Sequence, residues 1–439
     1  MPSRRSKGGL LARVNFPLYT LQMLTSRHVL VGGGGGSSKT GVANGFEIFE
    51  LFHDGVQFVA QEVTRHETGP SVVMNCASHN DGKRTLVVAG QESHCQLYNV
   101  NMKIVTLAEN GEVVKGTAPT SSAGLRQRRK SERDTNEEDA SNKPERIEEI
   151  TDKNSNIRHK KLHLMMKPGD SIQTDFSDVE PLQRIVRVSP TGKLMATGGT
   201  DGHIRLWKFP HLTKHHDIEG HSKEIDDMDF SPDGDTLATI AKDGKAFIWN
   251  VASGKKEKEL TWGIPEGSKY MYKRCRFRVS EGEKTKAQLF LLSNATSSKN
   301  PSYLQLWDVV EAQGGTVLKS VSYKETLSAL AVSDNGRFVA VGTMFSGNVD
   351  IFIAFSLQKA LHVSGAHSMF VTGLEFLPSK LDGPAITSNT EAAVVSISVD
   401  NRICVHSIPF RHTLPFWIVI ILIVLSIFGA FLVCSWLGI

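Results

Sequence analysis

Two stretches of this chain repeat each other. Residues 189–207 read SPTGKLMATGGTDGHIRLW, residues 231–249 read SPDGDTLATIAKDGKAFIW, and the two align without a gap 42 residues apart. No other feature restricts the fold as strongly, because about 40–45 residues is the period of four-stranded propeller blades. The local chemistry agrees with that period. Ser-Pro-Asp-Gly at residues 231–234 is a tight-turn sequence. Residues 237–240 and 246–249 read as short buried strands, and Asp243-Gly244 reads as the turn between them.

With the period set, weaker copies emerge. Gly220-His221 stands upstream of Trp249 in the Gly-His…Trp-Asp order of WD repeats, and Trp307-Asp308 is a literal Trp-Asp pair. Residues 327–355 form a further blade, followed by Ala366-His367 in the Gly-His place. Residues 370–408 hold three strands of another, and residues 269–323 an expanded one around the Trp-Asp pair. Residues 71–100 read as a degenerate blade and residues 16–63 as the first. The fold expected is therefore all-β, a seven-bladed WD-repeat β-propeller over residues 1–412. The last blade lacks an evident fourth strand, and residues 10–14 are expected to supply it and close the ring.

Residues 108–162 break the pattern. They are rich in charged and small polar residues and nearly empty of aromatics, a composition that cannot bury enough apolar surface to order itself. Within them LRQRRKSER (residues 125–133) resembles a nuclear-targeting or nucleic-acid patch, but the acidic run at 134–139 largely offsets it. KLHLMMK (residues 161–167) reads as an outer strand. The far end of the chain differs again. Residues 414–439 carry no charge, and the run at 414–436 is about as long as the roughly 20 residues needed to span a bilayer. Trp417 and Trp436 stand near its ends, where interfacial aromatics belong. Arg411 and His412 precede it and no basic residue follows, so the body is expected in the cytosol and residues 437–439 as a short lumenal tail. Asn294-Ala295-Thr296 is a glycosylation acceptor pattern that a cytosolic body leaves unmodified. The basic N-terminus (Arg4, Arg5, Lys7) is followed by too short an apolar run for a cleaved signal.

Catalytic chemistry is hard to find. There is no G-x-S-x-G elbow and no H-E-x-x-H. The five cysteines (Cys76, Cys95, Cys275, Cys404, Cys434) are widely spaced and suggest neither zinc nor a disulfide framework. A net charge of +4 over 439 residues gives no argument for nucleic acid. His221 and His367 fit structural places in the blades, and Asp201, Asp243 and Asp400 are explained by turn formation. A propeller without catalytic groups is a docking platform whose loops do the work.

One loop stands out. Residues 32–45 read GGGGGSSKTGVANG between two strand-like segments, 28–31 and 46–52. Five consecutive glycines bring no side chains to a core and cost entropy to order, so the stretch is expected as an exposed, backbone-lined contact loop. It mimics a phosphate cradle, but Ser38 sits where the last glycine before Lys39-Thr40 must be, and the next element reads as a strand rather than a helix. Asn44-Gly45 reads as an ordinary turn pair leading into a strand. The alternative is that glycine carbonyls and the Asn44 side-chain oxygen together ligate a hard cation; without a carboxylate that set suits a monovalent ion better than calcium.

The WD propeller, the GGGG…KTG…NG loop and the single C-terminal anchor together resemble the prolactin regulatory element-binding protein family. So do FPLYTLQ (16–22), AGQESHCQLYNV (89–100), QTDFSDVEPLQRIV (173–186), ATGGTDGHIRLWK (196–208) and IAFSLQ (353–358). That family is the animal form of the endoplasmic-reticulum exchange factor that starts COPII coat assembly in vesicle transport of proteins towards the Golgi. The resemblance implies guanine-nucleotide exchange on the small GTPase that recruits the coat, by an activator with no covalent chemistry and no nucleotide of its own. It implies a potassium ion in the first-blade loop, with Asn44 and Gly41 in the matching places as the essential and ion-holding residues. Gly33, Gly34, Gly35, Gly36, Ser37, Ser38, Lys39, Thr40, Val42 and Ala43 are then expected against the GTPase. The alternatives are a membrane-anchored scaffold without exchange activity and a DNA-binding regulator, against which the anchor argues.

Overall fold

The computed structural model describes residues 9–37, 41–82, 84–107, 159–279, 288–309, 315–379, 386, 390–410 and 416–438. The segment 108–158 with its basic patch, and Ser38, Lys39 and Thr40 of the glycine stretch, lie outside the described residues. The chain divides into two units, one of Met1–Asn101 with Leu164–Ile439 and one of Met102–His163. Of the second, the described residues are the far ends of two strands, β8 and β9 below.

The described residues form seven four-stranded antiparallel sheets, as the period predicts. The first blade is β2 (Leu18–Met23), β3 (His28–Gly33), β4 (Gly45–His53) and β5 (Phe58–Glu67). The second is β6 (Asn75–Asn80), β7 (Thr85–Gln91), β8 (His94–Leu107) and β9 (His159–Gln173); KLHLMMK does run as an outer strand. The third and fourth, the clear repeats, are β10 (Gln183–Val188) to β13 (Thr213–Glu219) and β14 (Ile225–Phe230) to β17 (Lys256–Glu259). The fifth runs from β18 (Tyr270–Arg278) to β21 (Thr316–Tyr323) and the sixth from β22 (Leu327–Val332) to β25 (Gln358–Val363). The seventh is β26 (Val371–Phe376), β27 (Thr390–Ser398), β28 (Arg402–Pro409) and, from the other end of the chain, β1 (Gly9–Arg13). β1 pairs β28 through Gly9↔Val405, Leu10↔Cys404, Ala12↔Ile403 and Arg13↔Arg402, so the N-terminal strand closes the ring as expected.

Each blade is apolar on both faces and buries them against its neighbours. Phe338, Ala340 and Ile351 of the sixth blade share one cluster with Val371, Leu374 and Val394 of the seventh. Val14, Leu18, Val29 and Leu51 share another with Val395, Ile397 and Ile403 across the closure. Antiparallel strands reverse at every turn, which sorts the connections. Second-to-third-strand loops and blade-to-blade loops lie at one end of the ring, and the remaining turns at the other.

Buried polar chains pin the turns. In the fourth blade Asp243 Oδ2 lies 3.0 Å from His221 Nδ1, His221 Nε2 lies 2.9 Å from Thr239 Oγ1, and Trp249 Nε1 donates to that hydroxyl at 2.8 Å. The seventh blade repeats this with Asp400, His367 and Ser396, but His406 takes the tryptophan's place, 2.8 Å from Ser396 Oγ. The structural role expected for the histidines holds. Turn formation alone understates the aspartates, because Asp243 and Asp400 also orient a buried imidazole. Burial holds His221 and His367 below the usual imidazole range and pushes His406 down to about 3.

The chain after β28 ends in α1 (Phe416–Leu437), a helix long and apolar enough to cross a membrane. Asn294 is buried, with its amide donating to Leu327 O at 2.8 Å and accepting from Leu327 N at 2.9 Å.

Two outcomes follow. Deleting residues 1–13 removes β1 and bares the β28 edge, so the thermal midpoint should fall by several degrees; an unchanged midpoint would show that the ring closes without it. His406 in the fold takes up protons only near pH 3, whereas unfolded it does so near 6.5, so its contribution is intact above pH 6.5 and is lost as pH falls towards 3. The loss reaches a few kcal/mol, on the order of 1.4 per pH unit. Denaturant midpoints from pH 7 to pH 4 should fall, and fall less steeply in H406Q.

Candidate functional site

The glycine stretch is shorter as a loop than its composition suggests. β3 continues through Gly32 and Gly33 and β4 begins at Gly45, so the connection covers residues 34–44. This corrects the expectation that the glycines serve no packing purpose. Gly32 and Gly33 are buried strand residues; a Cβ on Gly32 would press Thr20 and Phe46, and one on Gly33 would strike the carbonyl oxygen of Pro17. Gly34 N donates to that same Pro17 oxygen at 3.1 Å. Here glycine is required because the backbone entering the first blade crosses directly over the strand end. Gly36 (φ +85°) and Gly41 (φ +78°) answer a different need. Each has open space where a side chain would stand but a left-handed backbone.

Asn44 organises the loop. It is 5 % exposed, and its side chain makes four hydrogen bonds. Oδ1 accepts from Gly36 N at 2.9 Å, tying the two sides of the loop together. Nδ2 donates to the carbonyl oxygens of Gly36 at 3.1 Å, Gly69 at 3.0 Å and Pro70 at 3.1 Å, the last two on the connection into the second blade. Thr68 N donates to Asn44 O at 3.0 Å, and a Cβ on Gly34 would collide with Asn44 Oδ1. One amide thus satisfies backbone groups at Gly36, across the loop, and on the neighbouring turn at Gly69 and Pro70. Leaving such groups unpaired costs about 1–3 kcal/mol each.

The structure divides the residues singled out from the sequence. Asn44, Gly33 and Gly34 are buried and shape the loop. Gly35, Gly36 and Val42 are half-buried, with Val42 against the cluster at the ring closure. Ser37, Gly41 and Ala43 are exposed and form its accessible rim. Pro17, Gly69 and Pro70 were not singled out as site residues, although Gly69-Pro70 is a turn signature. The donors fit the ion that the resemblance implies. They are neutral oxygens, as a monovalent cation prefers, and among the described residues Asn44 Oδ1 accepts a single hydrogen bond of the two its lone pairs allow.

Elsewhere the ring axis holds a cavity of about 340 Å³ lined by charged residues of the inner strands. Asp227 pairs with Arg187 at 3.2 Å and Arg276 at 2.6 Å, and burial raises Glu375 to about 7. Burial also raises the Cys76 thiol there to about 12 and so silences it as a nucleophile.

Residues 183–208 and 212–250 match the WD domain, G-beta repeat family, which is the third and fourth blades. Over 432 residues the chain is 33 % identical to the guanine nucleotide-exchange factor SEC12 of Mus musculus, covering 96 % of this chain and 95 % of that protein. The SEC12 of Rattus norvegicus matches to the same extent. SEC12-like protein 1 of Arabidopsis thaliana is 30 % identical over 208 residues, 45 % of this chain and 47 % of that protein.

The two kinds of glycine should separate on substitution. Gly33→Ala forces backbone apart and should cost about 1–3 kcal/mol of stability, whereas Gly41→Ala, with open space, should cost only the left-handed strain of about 1–2 kcal/mol and fall at the low end. Urea unfolding of both variants reads this out, and a larger loss at Gly41 would contradict the packing role of Gly33.

Proposed function

This chain belongs to the SEC12 guanine nucleotide-exchange factor family, and from that premise we propose that it promotes GDP release from the small GTPase that initiates COPII assembly at the endoplasmic reticulum. The observation that carries the reading is the loop of residues 34–44, exposed along its rim and fixed from beneath by Asn44. An exchange factor must hold open a GTPase whose switch regions otherwise close on nucleotide and magnesium. A floppy loop would spend its binding energy on its own ordering, whereas a pre-formed one can spend it on the partner. Ser37, Gly41 and Ala43 meet the GTPase first, with Ser38, Lys39 and Thr40 between them in sequence. The glycines admit close backbone approach, and Asn44 is a positioning residue that keeps the rim in shape.

A potassium ion would be held by Asn44, Gly41 and glycine carbonyls, and would supply further order to the loop. α1 anchors the body to the reticulum membrane in a single pass with the propeller in the cytosol, and the buried Asn294 fits a body that is never glycosylated. Confinement to one surface raises the effective concentration of exchange factor where the coat assembles.

The test is GDP release from that GTPase, measured with the full chain in detergent, in potassium and in sodium buffer. The chain should accelerate release, more in potassium than in sodium. Asn44→Ala should lose about tenfold or more, since about 1.4 kcal/mol is a factor of ten. No acceleration by the unmutated chain would remove the exchange activity; acceleration indifferent to the substitution would remove only the assigned role of Asn44.

A further inference from the structure

The end of the ring opposite the glycine loop carries apolar side chains in an uneven pattern. Val56, at the tip of the β4–β5 turn of the first blade, is 89 % exposed. Phe355, in the corresponding turn of the sixth blade between Ile353 and Gln358, is 63 % exposed. Phe410, which follows β28 of the seventh blade at this same end, is 56 % exposed. The sixth, seventh and first blades are consecutive around the ring, so the three residues share one sector. The matching turns of the third and fourth blades differ: Phe209, Leu212 and Val251 are turned into the core.

These tips are built rather than loose. Asp54 Oδ1 accepts from Val56 N and Gln57 N, both at 2.8 Å, and Asp54 N donates to Gln57 O at 3.1 Å. Leu357 N donates to Ile353 O at 2.8 Å and Ala354 N to Arg337 O at 2.8 Å, which fixes the turn presenting Phe355. The exposed part of such a side chain gains by leaving water for another apolar medium.

The sequence says which medium is at hand. Five residues, 411–415, separate Phe410 from α1. Six Cα steps span at most about 20 Å when fully extended. If α1 crosses a membrane, the seventh blade is tethered at this end within that reach of the bilayer, with Val56 and Phe355 on its two flanks. We propose that this sector rests on the membrane, with Val56, Phe355 and Phe410 entering the interfacial layer of the lipid. The proposal rests on the reading of α1 as a membrane anchor. The turns and the strand residues beside them carry Asp54 and Lys359, and Arg411 follows Phe410 in the sequence; with no polybasic cluster among them the contact is chiefly apolar rather than directed by anionic lipid. The glycine loop lies at the other end of β4 from Val56. This seating therefore holds it about one length of the nine-residue β4, roughly 26 Å, further from the bilayer and facing the cytosol.

The full chain, reconstituted in phosphatidylcholine vesicles containing a nitroxide lipid, tests this directly. One fluorophore is placed at Gln57→Cys, Gln358→Cys or, at the opposite end, Phe345→Cys, each with Cys434→Ser; a fourth sample carries the label on native Cys434. The remaining cysteines are buried. Labels at 57 and 358 should be quenched at least twofold more than the label at 345. V56D with F355D should abolish that difference while the Cys434 label stays quenched. Equal or absent quenching at 57, 358 and 345, with Cys434 quenched, would overturn the seating and leave the anchor standing. An unquenched Cys434 label would overturn both. A difference that survives V56D with F355D would overturn the role of the apolar tips.

Discussion

Everything in the body depends on closing a ring. A four-stranded sheet with two apolar faces is stable only between neighbours, so seven such sheets are stable only if the last meets the first. The chain achieves this by lending β1 to a blade whose other strands lie nearly four hundred residues away, and by burying Val14 and Leu18 against Ile397 and Ile403. The constraint reaches the candidate site at once. The residues between β1 and β2 that complete the closure include Pro17, whose carbonyl oxygen accepts from Gly34 and leaves no room beside Gly33. The glycine loop is set on the seam of the ring, and its first residues are shaped by how the ring closes.

A second consequence is a hydrogen-bonded base to the loop, at a place where glycine would suggest the opposite. The entropy cost of ordering the stretch is met locally: two glycines join a strand, one amide bridges the loop, and a turn from the second blade supplies two more carbonyl partners. Among the described residues of the loop, Ser37, Gly41 and Ala43 stay exposed. The same economy appears in the fourth and seventh blades, where an aspartate, a histidine and a hydroxyl hold the turn by hydrogen bonds.

Much of this was legible in the sequence because it is local. Turn tetrads, short apolar strands and a 42-residue spacing are visible without contacts, and the seven blades and the closing strand follow from them. The glycine loop was legible as a loop between strands, with Lys39 and Asn44 as its polar members; of these Asn44 lies among the described residues. What could not be read was non-local. That Gly33 is barred from carrying a side chain depends on Pro17, sixteen positions earlier. That Asn44 acts as a bridge depends on Gly69 and Pro70, twenty-five and twenty-six positions later. His406 standing in for a tryptophan follows from geometry shared with Ser396, and no pattern of residue types announces it.

The central claim is that this pre-formed loop is the surface that meets the GTPase. Hydrogen exchange on the full chain, with and without the nucleotide-free GTPase, addresses it most directly. The account predicts slowed exchange in residues 34–44 and in the adjoining connection at 67–75, with the turns bearing Val56 and Phe355 unchanged. Protection confined to those opposite turns, or a loop whose exchange is the same in the complex as alone, would contradict it.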